Sequence, residues 1–354
     1  MKRVLILGCT GSIGKSSIDI VQNMPEDFTV CGLQAHSNKD ELLKLSKEFN
    51  CPTLLSSEDN SEEAFNKLID ESKPDIVING IAGAAGLLPS KVVLENKIDL
   101  ALANKETIVM AGPLIKKLAK ENNVKLIPVD SEHSAIFNLV ENFGSKNISK
   151  IVITASGGPF REYSAEQLKN VTVEQALKHP TWNMGTKITI DSSTLANKGL
   201  EVIEAAYLFD VTHEQIEVVV HPQSLIHSLV RTKDGMLYAQ ISDPDMKHPI
   251  FGALCWPNYK DTYLKPFDLF DHTMTFYKPR YDDFPMLNYA FDCVKEKKSY
   301  TIAYNAANEI AVDAFINKKI SWILYRQKAV FLCDILKEAV KTPVLQPITF
   351  NPYI

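Results

Sequence analysis

The first 130 residues alternate short apolar runs with segments of helical spacing, and this alternation constrains the fold more than any other feature. The apolar runs cover residues 4–8, 29–33, 75–80, 99–104 and 125–130. Runs that are apolar throughout are typical of strands buried on both faces, and intervening helices imply parallel strands with right-handed crossovers. We therefore predict an α/β fold with a doubly wound parallel sheet.

From about residue 150 the pattern changes to strand-like runs (KIVITASGGPF, QIEVVVHPQSL, MLYAQIS) among turn residues, with helical segments at 164–170 and 172–178. This mixture predicts an α+β domain whose loops carry function. A stretch rich in proline, aspartate and aromatics follows and has no clear period, which indicates an extended linker. Helical patterning returns after Pro285. The predicted domains are 1–128, 129–256 and 285–354, with the linker at 257–284.

Composition excludes several classes of protein. The 354-residue chain carries 38 basic and 43 acidic residues, a net charge of −5, and has no basic tract, so a nucleic-acid surface is not expected. Its apolar runs are shorter than the roughly 18 residues of a membrane helix, and we expect no membrane partner. The start of the chain lacks a signal-peptide pattern. Six cysteines without a CxxC pair indicate reduced thiols, and we expect a soluble cytoplasmic protein.

The first apolar run leads into a glycine-bearing turn before a helix. Glycines at positions 8, 11 and 14 give the spacing GxxGxxG, a variant of the usual dinucleotide fingerprint GxGxxG. Such glycines let backbone N–H groups approach a pyrophosphate at a helix N-terminus. Strand-to-helix turns with glycine also occur without ligands. Placed at the first turn of a five-strand pattern, the motif favours dinucleotide binding.

The end of the second run bears on the choice between NAD and NADP. An acidic residue usually takes the ribose hydroxyls of NAD at this corner. Here the sequence is QAHSNK, residues 34–39, and the first acid is Asp40, inside a predicted helix. Polar and basic groups suit a 2′-phosphate and favour NADP. The alternative is a solvated loop in which Ser37 or Asn38 caps the next helix.

Two carboxylates follow the fifth run. Asp130 and Glu132 lie one residue apart where an open parallel sheet places its ligand crevice, and their oxygens suit Mg²⁺ or Mn²⁺. The alternative is that Asp130 or Ser131 caps the following helix, with Glu132 favoured by the helix dipole. From this motif alone, both interpretations remain open.

Further polar groups lie between residues 156 and 201. Asn197 and Glu201 are four residues apart and would share a helix face beside Lys198, although a capped helix with a solvated face is the alternative. The turn at Ser156 offers backbone amides for an oxyanion. The segment HPTWNMG, residues 179–185, has the make-up of a mobile lid, although an isolated His–Trp pair is more often structural.

Eight blocks of the sequence together resemble one family. They are VLILGCTGSIGKSSIDI, NGIAGAAGL, LANKETIV, PVDSEHSAIFN, ASGGPFRE, HPTWNMGTKITIDSSTLANKGLEVIEA, HPQSLIHSLV and NAANEIAV. In this order, and over about residues 1 to 318, the chain resembles the 1-deoxy-D-xylulose 5-phosphate reductoisomerases. The chain departs from the family at Ser37, where the family often has lysine, and beyond about Ile320.

The resemblance implies a homodimer of three-domain subunits: an NADPH-binding domain (1–128), a catalytic and dimerisation domain (129–256) and a C-terminal helical bundle. The implied cofactors are NADPH and a divalent ion, Mg²⁺, Mn²⁺ or Co²⁺. The implied reaction rearranges a phosphorylated sugar and then reduces it to 2-C-methyl-D-erythritol 4-phosphate, an isoprenoid precursor. The rival hypotheses are an ordinary NADP-dependent dehydrogenase and a scaffold protein without activity.

The resemblance also assigns residues to roles. It implies metal ligation by Asp130, Glu132 and Glu201. Catalytic roles would fall to Lys105, Glu132, His179 and Trp182. Substrate-binding roles would fall to Ser131, Glu132, Ser156, His179, Ser192, Asn197, Lys198 and Glu201. Cofactor-binding roles would fall to Thr10, Gly11, Ser12, Ile13, His36, Ser37, Asn38, Asn104, Glu106, Met184, Gly185 and Met246.

Overall fold

The computed structural model describes residues 1–182, 184–296 and 299–325. The departure expected beyond about Ile320 therefore falls mostly on residues outside the described part of the chain.

The predicted parallel sheet is present in the N-terminal part of the chain. Its strand order is β3-β2-β1-β4-β5-β6, and every pair is parallel. The bounds are β1 Lys2–Leu7, β2 Phe28–Ala35, β3 Thr53–Leu55, β4 Ile76–Asn79, β5 Asp99–Leu102 and β6 Leu126–Pro128. The five-strand prediction missed β3, a half-buried edge strand of three residues. The outward order from β1 in both directions is that of a doubly wound sheet.

Helices cover both faces of this sheet. Their bounds are α1 Ser12–Asn23, α2 Lys39–Phe49, α3 Glu62–Ser72, α4 Leu87–Glu95, α5 Lys105–Glu121 and α6 Ser131–Phe143. Alternate residues of β1 pack into two separate hydrophobic cores. Val4 and Ile6 lie in the core on one face of the sheet, and Leu5 and Leu7 lie in the core on the other face. Burial on both faces explains why the strand is apolar throughout.

A second, four-stranded sheet follows, with strand order β10-β9-β7-β8. The bounds are β7 Ile148–Ala155, β8 Ile216–Val220, β9 Ile226–Thr232 and β10 Leu237–Ile241. β7 pairs parallel to β8 and antiparallel to β9. The strand predicted over QIEVVVHPQSL, residues 215–225, was too long, because β8 ends at Val220. The chain turns after Val220 and starts β9 at Ile226, which gives the sheet a strand that was not predicted.

Four helices accompany the second sheet: α7 Val173–Ala176, α8 Thr186–Ser193, α9 Ala196–Leu208 and α10 Lys247–Cys255. The helical prediction for 164–170 and 172–178 was too long, because only a 3-10 turn over Gln167–Asn170 and the single turn α7 form. A capping box of Thr172 and Gln175 starts α7. Although α10 lies in the sequence of the second predicted domain, its apolar side packs into the core beside α1.

Residues 257–285 form no helix or strand apart from a bridge between Tyr277 and Val220. Helices α11 (Met286–Glu296) and α12 (Ser299–Ile316) follow. The buried Tyr304 donates to the backbone oxygens of Ala196 and Met286. The helical segment and the second sheet thereby share one core. A search of the described helices finds none long and apolar enough to cross a membrane.

The glycine turn after β1 depends on close packing. Gly8 has φ of +77°, and its N–H donates to the side-chain oxygen of Gln34 at 2.8 Å. A Cβ on Gly14 would lie 2.4 Å from both Cys9 Cα and Gly8 O. The first turn of α1 therefore fits against the preceding loop only without a side chain at position 14, which is the role of a third fingerprint glycine.

Replacing Gly14 by alanine is expected to lower the free energy of unfolding by about 1–3 kcal/mol or more, because overpacking forces the turn away from α1. The matched control is Gly252→Ala on the exposed side of α10, where a Cβ meets nothing within 4 Å. That control should keep or raise stability, since alanine favours helix. Thermal unfolding measures both variants, and a Gly14→Ala midpoint equal to that of the wild type would contradict this account.

Candidate active site

A cavity of about 340 Å³ lies between the two sheets, at the carboxyl ends of the parallel strands. It brings together most residues to which a role was assigned from the sequence. These are Gly11, Ser12, Ile13, Lys105, Glu106, Asp130, Ser131, Glu132, Ser156, His179, Trp182, Met184, Gly185, Ser192, Asn197, Lys198, Glu201 and Met246. The described positions that do not line it are Thr10, His36, Ser37, Asn38 and Asn104. Residues distant in the sequence therefore converge where the topology predicted a ligand crevice.

Three carboxylates converge at one end of the cavity. Ligand oxygens of Asp130, Glu132 and Glu201 lie within 4.8 Å of one another. Asp130 occupies the N-cap position of α6, yet its side chain makes no capping hydrogen bond. The capping alternative for Asp130 is therefore wrong. Three oxygen donors with room around them fit a hard divalent cation such as Mg²⁺ or Mn²⁺.

Two buried lysines lie among these acids. Lys105 Nζ is 2.7 Å from Asp130 Oδ2 and 3.1 Å from Glu201 Oε1. Lys198 Nζ is 2.6 Å from Glu132 Oε1 and also contacts Glu201. Burial alone would lower the pKa of Lys105, but the carboxylates of Asp130 and Glu201 outweigh it and raise that pKa. The three acids and two lysines leave one net negative charge, which suits a site for a cation.

Helix α9 supplies one face of this cluster. Asn197 Nδ2 donates to Glu201 Oε1 at 2.6 Å, so the predicted shared face is confirmed. Asn197 Oδ1 accepts from Lys105 Nζ at 2.8 Å, which connects α9 to the start of α5. Between α8 and α9, Leu195 takes a left-handed conformation with φ of +57°. This tight turn lets the end of α8, with Ser192, and the start of α9 face the same cavity.

His133 supports the carboxylates from behind and was not identified from the sequence. Its Nε2–H donates to the backbone oxygen of Glu201 at 3.0 Å, and its Nδ1 lies 3.2 Å from Asp130 Oδ1 and 3.4 Å from Glu204 Oε2. Burial would lower the pKa of His133, but the carboxylates of Glu204 and Asp130 outweigh it and raise the pKa to about 9. The only sequence signal was the spacing of three residues from Asp130, which places both on one helix face.

His179 begins the predicted lid and contacts the turn after β7. Its Nδ1 accepts from the backbone N–H groups of Thr181 at 3.1 Å and Trp182 at 2.9 Å. The proton of the neutral ring is therefore on Nε2, which donates to Ser156 Oγ at 2.9 Å. Burial, and secondarily the charge of Arg161, lowers the pKa of His179 to about 4. The ring is thus a neutral hydrogen-bond donor at the edge of the cavity.

The corner expected to hold a 2′-phosphate makes internal contacts. Asn38 caps α2 by accepting from the N–H of Glu41 at 3.3 Å, so the capping interpretation is confirmed for Asn38. His36 Nδ1 lies 3.2 Å from Ser56 Oγ, and Lys39 Nζ pairs with Glu58 at 2.8 Å. These groups lie at the end of β2 and the start of α2, outside the cavity.

Two charged cavity residues on α8, Lys187 and Asp191, received no role from the sequence. Lys187 Nζ lies 2.8 Å from Glu106 Oε1 and 2.8 Å from Asp191 Oδ2. Asn104 caps α5 and donates to Glu106 Oε2 at 3.1 Å, as well as to two backbone oxygens. Asn104 is thereby placed to orient Glu106 from outside the cavity.

Comparison with known families finds matches along most of the chain. The family described as 1-deoxy-D-xylulose 5-phosphate reductoisomerase matches residues 4–63 and 56–112. Two families that describe C-terminal domains of the same enzyme match residues 126–209 and 241–330. The second of these extends slightly beyond the described part of the chain.

Curated relatives and solved structures agree with these families. The reductoisomerase of Treponema denticola is 51% identical over 330 residues, covering 91% of this chain and 87% of the relative. That of Chlorobaculum tepidum is 49% identical over 342 residues, covering 91% and 89%. A structure of DOX-P reductoisomerase with NADPH, fosmidomycin and magnesium has a TM-score of 0.89 at 36% identity, covering 97% of this chain and 92% of that one. The Zymomonas mobilis enzyme with NADPH has a TM-score of 0.86 at 35% identity, covering 98% and 93%.

The lowered pKa of His179 gives a pH prediction. We expect its ring to titrate near pH 4 in the folded chain, against about 6.5 when unfolded. The unfolded chain then binds more protons between these values, so the contribution of His179 to stability falls as the pH drops from about 6.5 towards 4. Nitrogen-15 NMR of labelled histidines measures the midpoint, with His179→Gln to assign the signal. A midpoint near 6.5 in the folded protein would refute the lowered pKa of His179.

Proposed function

Because the chain belongs to the 1-deoxy-D-xylulose 5-phosphate reductoisomerase family, it is an NADPH- and divalent-metal-dependent oxidoreductase with an isomerase step, and we propose which residues carry its reaction. Its product is 2-C-methyl-D-erythritol 4-phosphate, an isoprenoid precursor. The observation that carries the proposal is the convergence of Asp130, Glu132 and Glu201 with Lys105 and Lys198 in one cavity.

We propose that Asp130, Glu132 and Glu201 hold the metal. When bound there, a divalent ion would supply Lewis acidity to the substrate's oxygens. Ser131 Oγ donates to Glu132 Oε2 at 2.6 Å, which orients that carboxylate and places the hydroxyl within reach of a substrate hydroxyl beside it. Asp130 and Glu132 lie at the start of α6 and Glu201 in the second turn of α9, so two helices would set the positions of the metal ligands.

Lys105 is proposed to stabilise negative charge on the substrate. The side chain of Lys105 is 5% exposed, and its ammonium lies between Asp130, Glu201 and Asn197. A cation fixed in this way needs little reorganisation when charge develops on a substrate oxygen, and such preorganisation is a large term in catalysis. The amide and carboxylate partners also keep the ammonium aimed at the cavity.

The phosphate end of the substrate is proposed to contact Ser156, Ser192, Asn197, Lys198 and His179. Backbone φ values of +83° at Gly157 and +68° at Gly158 form the tight turn that presents Ser156. His179 would donate from Nε2 and, being neutral, binds phosphate without a change of protonation. Lys198 contacts Glu132 and Glu201 in this structure, so its phosphate role requires the ammonium to exchange a carboxylate partner. Binding energy from the phosphate can drive that exchange and the closure of the lid.

The cofactor is proposed to lie along the glycine turn and the start of α1. Backbone groups of Gly11, Ser12 and Ile13 line the cavity where a helix N-terminus favours a pyrophosphate. Glu106 and Met246 line the same cavity and would contact the nicotinamide half. The lid residues Trp182, Met184 and Gly185 would exclude water from it. Thr10 belongs to the same turn, and Asn104 would act by orienting Glu106.

His36, Ser37 and Asn38 are proposed to receive the 2′-phosphate at the end of β2. The domains are proposed as they were expected from the sequence: 1–128 for NADPH, 129–256 for catalysis and dimerisation, 257–284 as linker and 285–354 as the helical domain.

We also propose that the chain is a cytoplasmic homodimer. The edge strand β10 and its preceding turn expose apolar side chains, with Met236 56%, Leu237 47% and Ile241 38% exposed. An exposed apolar edge strand promotes aggregation unless it is protected, and exposed apolar patches often mark a surface for another protein. The thiols of Cys9, Cys31 and Cys255 are buried and unbonded to one another, as a reducing compartment would allow.

The assay that tests the site is NADPH oxidation with 1-deoxy-D-xylulose 5-phosphate, with and without Mn²⁺. We expect no turnover after chelation of the metal. Glu201→Gln should lower kcat/KM by on the order of 100-fold or more, because a lost ligand weakens Lewis-acid stabilisation worth several kcal/mol. Glu71→Gln on the exposed side of α3 is the matched control and should behave as wild type. Unchanged Mn²⁺ affinity in Glu201→Gln, measured by EPR, would remove Glu201 from the ligands.

The dimer proposal is tested by Leu237→Lys. A charge on the exposed edge strand should disfavour pairing with a second subunit and halve the mass measured by light scattering after gel filtration. Leu114→Lys on α5, where the side chain is 70% exposed, is the matched control and should leave the mass unchanged. A wild-type chain that runs as a monomer would refute the proposal, and a dimeric Leu237→Lys chain would move the interface away from β10.

A further inference from the structure

A continuous chain of polar contacts joins three parts of the molecule beside the cavity. It starts at the cap of α5, where Asn104 Nδ2 donates to Glu106 Oε2 at 3.1 Å. Lys187 Nζ connects Glu106 Oε1 to Asp191 Oδ2, at 2.8 Å from each. Asp191 Oδ1 then accepts from Asn308 Nδ2 of α12 at 2.8 Å. Through Lys187 and Asp191, polar contacts thus connect α5, α8 and α12.

Lys187 holds together two carboxylates that would otherwise repel each other. The side chains of Glu106 and Asp191 are 9% and 2% exposed, and that of Lys187 is 23% exposed. Removing one partner of a buried ionic group leaves an uncompensated buried charge, which is strongly unfavourable. The positions of Glu106 and Asp191 are therefore linked, and a shift of one moves the lysine and then the other.

The two linked acids belong to different helices that line the cavity. Glu106 is the second residue of α5, directly after Lys105, and is proposed above to bind the cofactor. Asp191 lies on α8 next to Ser192, which is proposed to bind the substrate phosphate. Lys187 itself is the second residue of α8, the helix that directly follows the segment carrying His179 and Trp182. Its contacts therefore set where the lid ends and where the phosphate-binding end of α8 lies.

We propose that Lys187 is a positioning residue that couples dinucleotide binding at Glu106 to the placement of α8 and hence to substrate binding. The proposal rests on the cofactor role of Glu106 and the phosphate role of Ser192. A dinucleotide that contacts Glu106 alters the environment of the carboxylate that Lys187 holds. A shift of Glu106 then moves the ammonium of Lys187, which changes its contact with Asp191 Oδ2. The other oxygen of Asp191 is held by Asn308 of α12.

The test measures the dissociation constant of 1-deoxy-D-xylulose 5-phosphate by titration calorimetry, with Mg²⁺, in the presence and absence of NADP⁺. NADP⁺ occupies the dinucleotide site but supplies no hydride. In the wild type we expect NADP⁺ to tighten substrate binding by about 5-fold or more, the lower end of typical coupling between sites. In Lys187→Met the ratio of the substrate dissociation constant without NADP⁺ to that with NADP⁺ should fall to about 1. Lys187→Arg should recover much of it, because a guanidinium can donate to both carboxylates.

Lys116→Met is the matched control. Lys116 also joins two elements, through Asp210 and the backbone oxygen of Tyr207, and its side chain is 27% exposed, close to the value for Lys187. This variant should keep the wild-type ratio. In steady-state assays, Lys187→Met should raise the KM for the sugar phosphate about 10-fold while kcat changes by less than about 3-fold, since its contacts act on binding.

Several outcomes would overturn the coupling. One is a wild-type ratio of 1, and another is a Lys187→Met ratio equal to that of the wild type, even if both affinities are weaker. Where Lys187→Met does not fold, Lys187→Gln keeps a polar N–H group but lacks the positive charge, and it should still lose most of the effect of NADP⁺ on substrate binding. A wild-type chain without metal-dependent NADPH oxidation would instead refute the proposed site roles, and the binding ratio remains measurable in that case.

Discussion

Five charged side chains meet between the two sheets, and their mutual neutralisation is the constraint on which the surrounding structure depends. Asp130, Glu132 and Glu201 bring three negative charges, and Lys105 and Lys198 bring two positive ones. Removing any one of these charges from water alone would cost several kcal/mol, so each is tolerated only while its partners stay in place. All five lie in the first two turns of α5, α6 and α9. The charge balance therefore fixes how the starts of these three helices approach one another.

The two lysines are placed against the local preference of their helices. Lys105 is the first residue of α5 and Lys198 the third of α9, where the helix dipole disfavours a cation. The nearby carboxylates of Asp130 and Glu132 supply the compensation, so the lysines stay in position only as members of the cluster. A lysine at a helix start beside a conflicting dipole is thus a local inconsistency that indicates a functional site.

Much of this arrangement could be predicted from the sequence, and the limits have physical causes. The alternation of apolar runs with segments of helical spacing predicted the parallel sheet. The strand-end rule predicted that Asp130 lies at the ligand crevice, and the four-residue spacing predicted that Asn197 and Glu201 share a helix face. The strand β3 was missed, because three half-buried residues carry no usable period. The contact of Lys187 with Glu106 was missed for another reason. It joins residues 81 apart in the sequence, and a lysine on a short helix gives no local sign of such a partner.

His133 shows why residues outside the cavity decide the geometry inside it. Asp130 lies at the N-cap of α6 but does not cap it, so another contact must orient its carboxylate. Lys105 does so from the cavity side, and His133 does so from the core side while donating to the backbone oxygen of Glu201. The ring of His133 stacks on Phe209, with 6.3 Å between ring centroids, which keeps it from rotating. One buried imidazole therefore fixes two candidate metal ligands on two helices. Mutation of partners of this kind typically costs about 10–100-fold in metal affinity or activity.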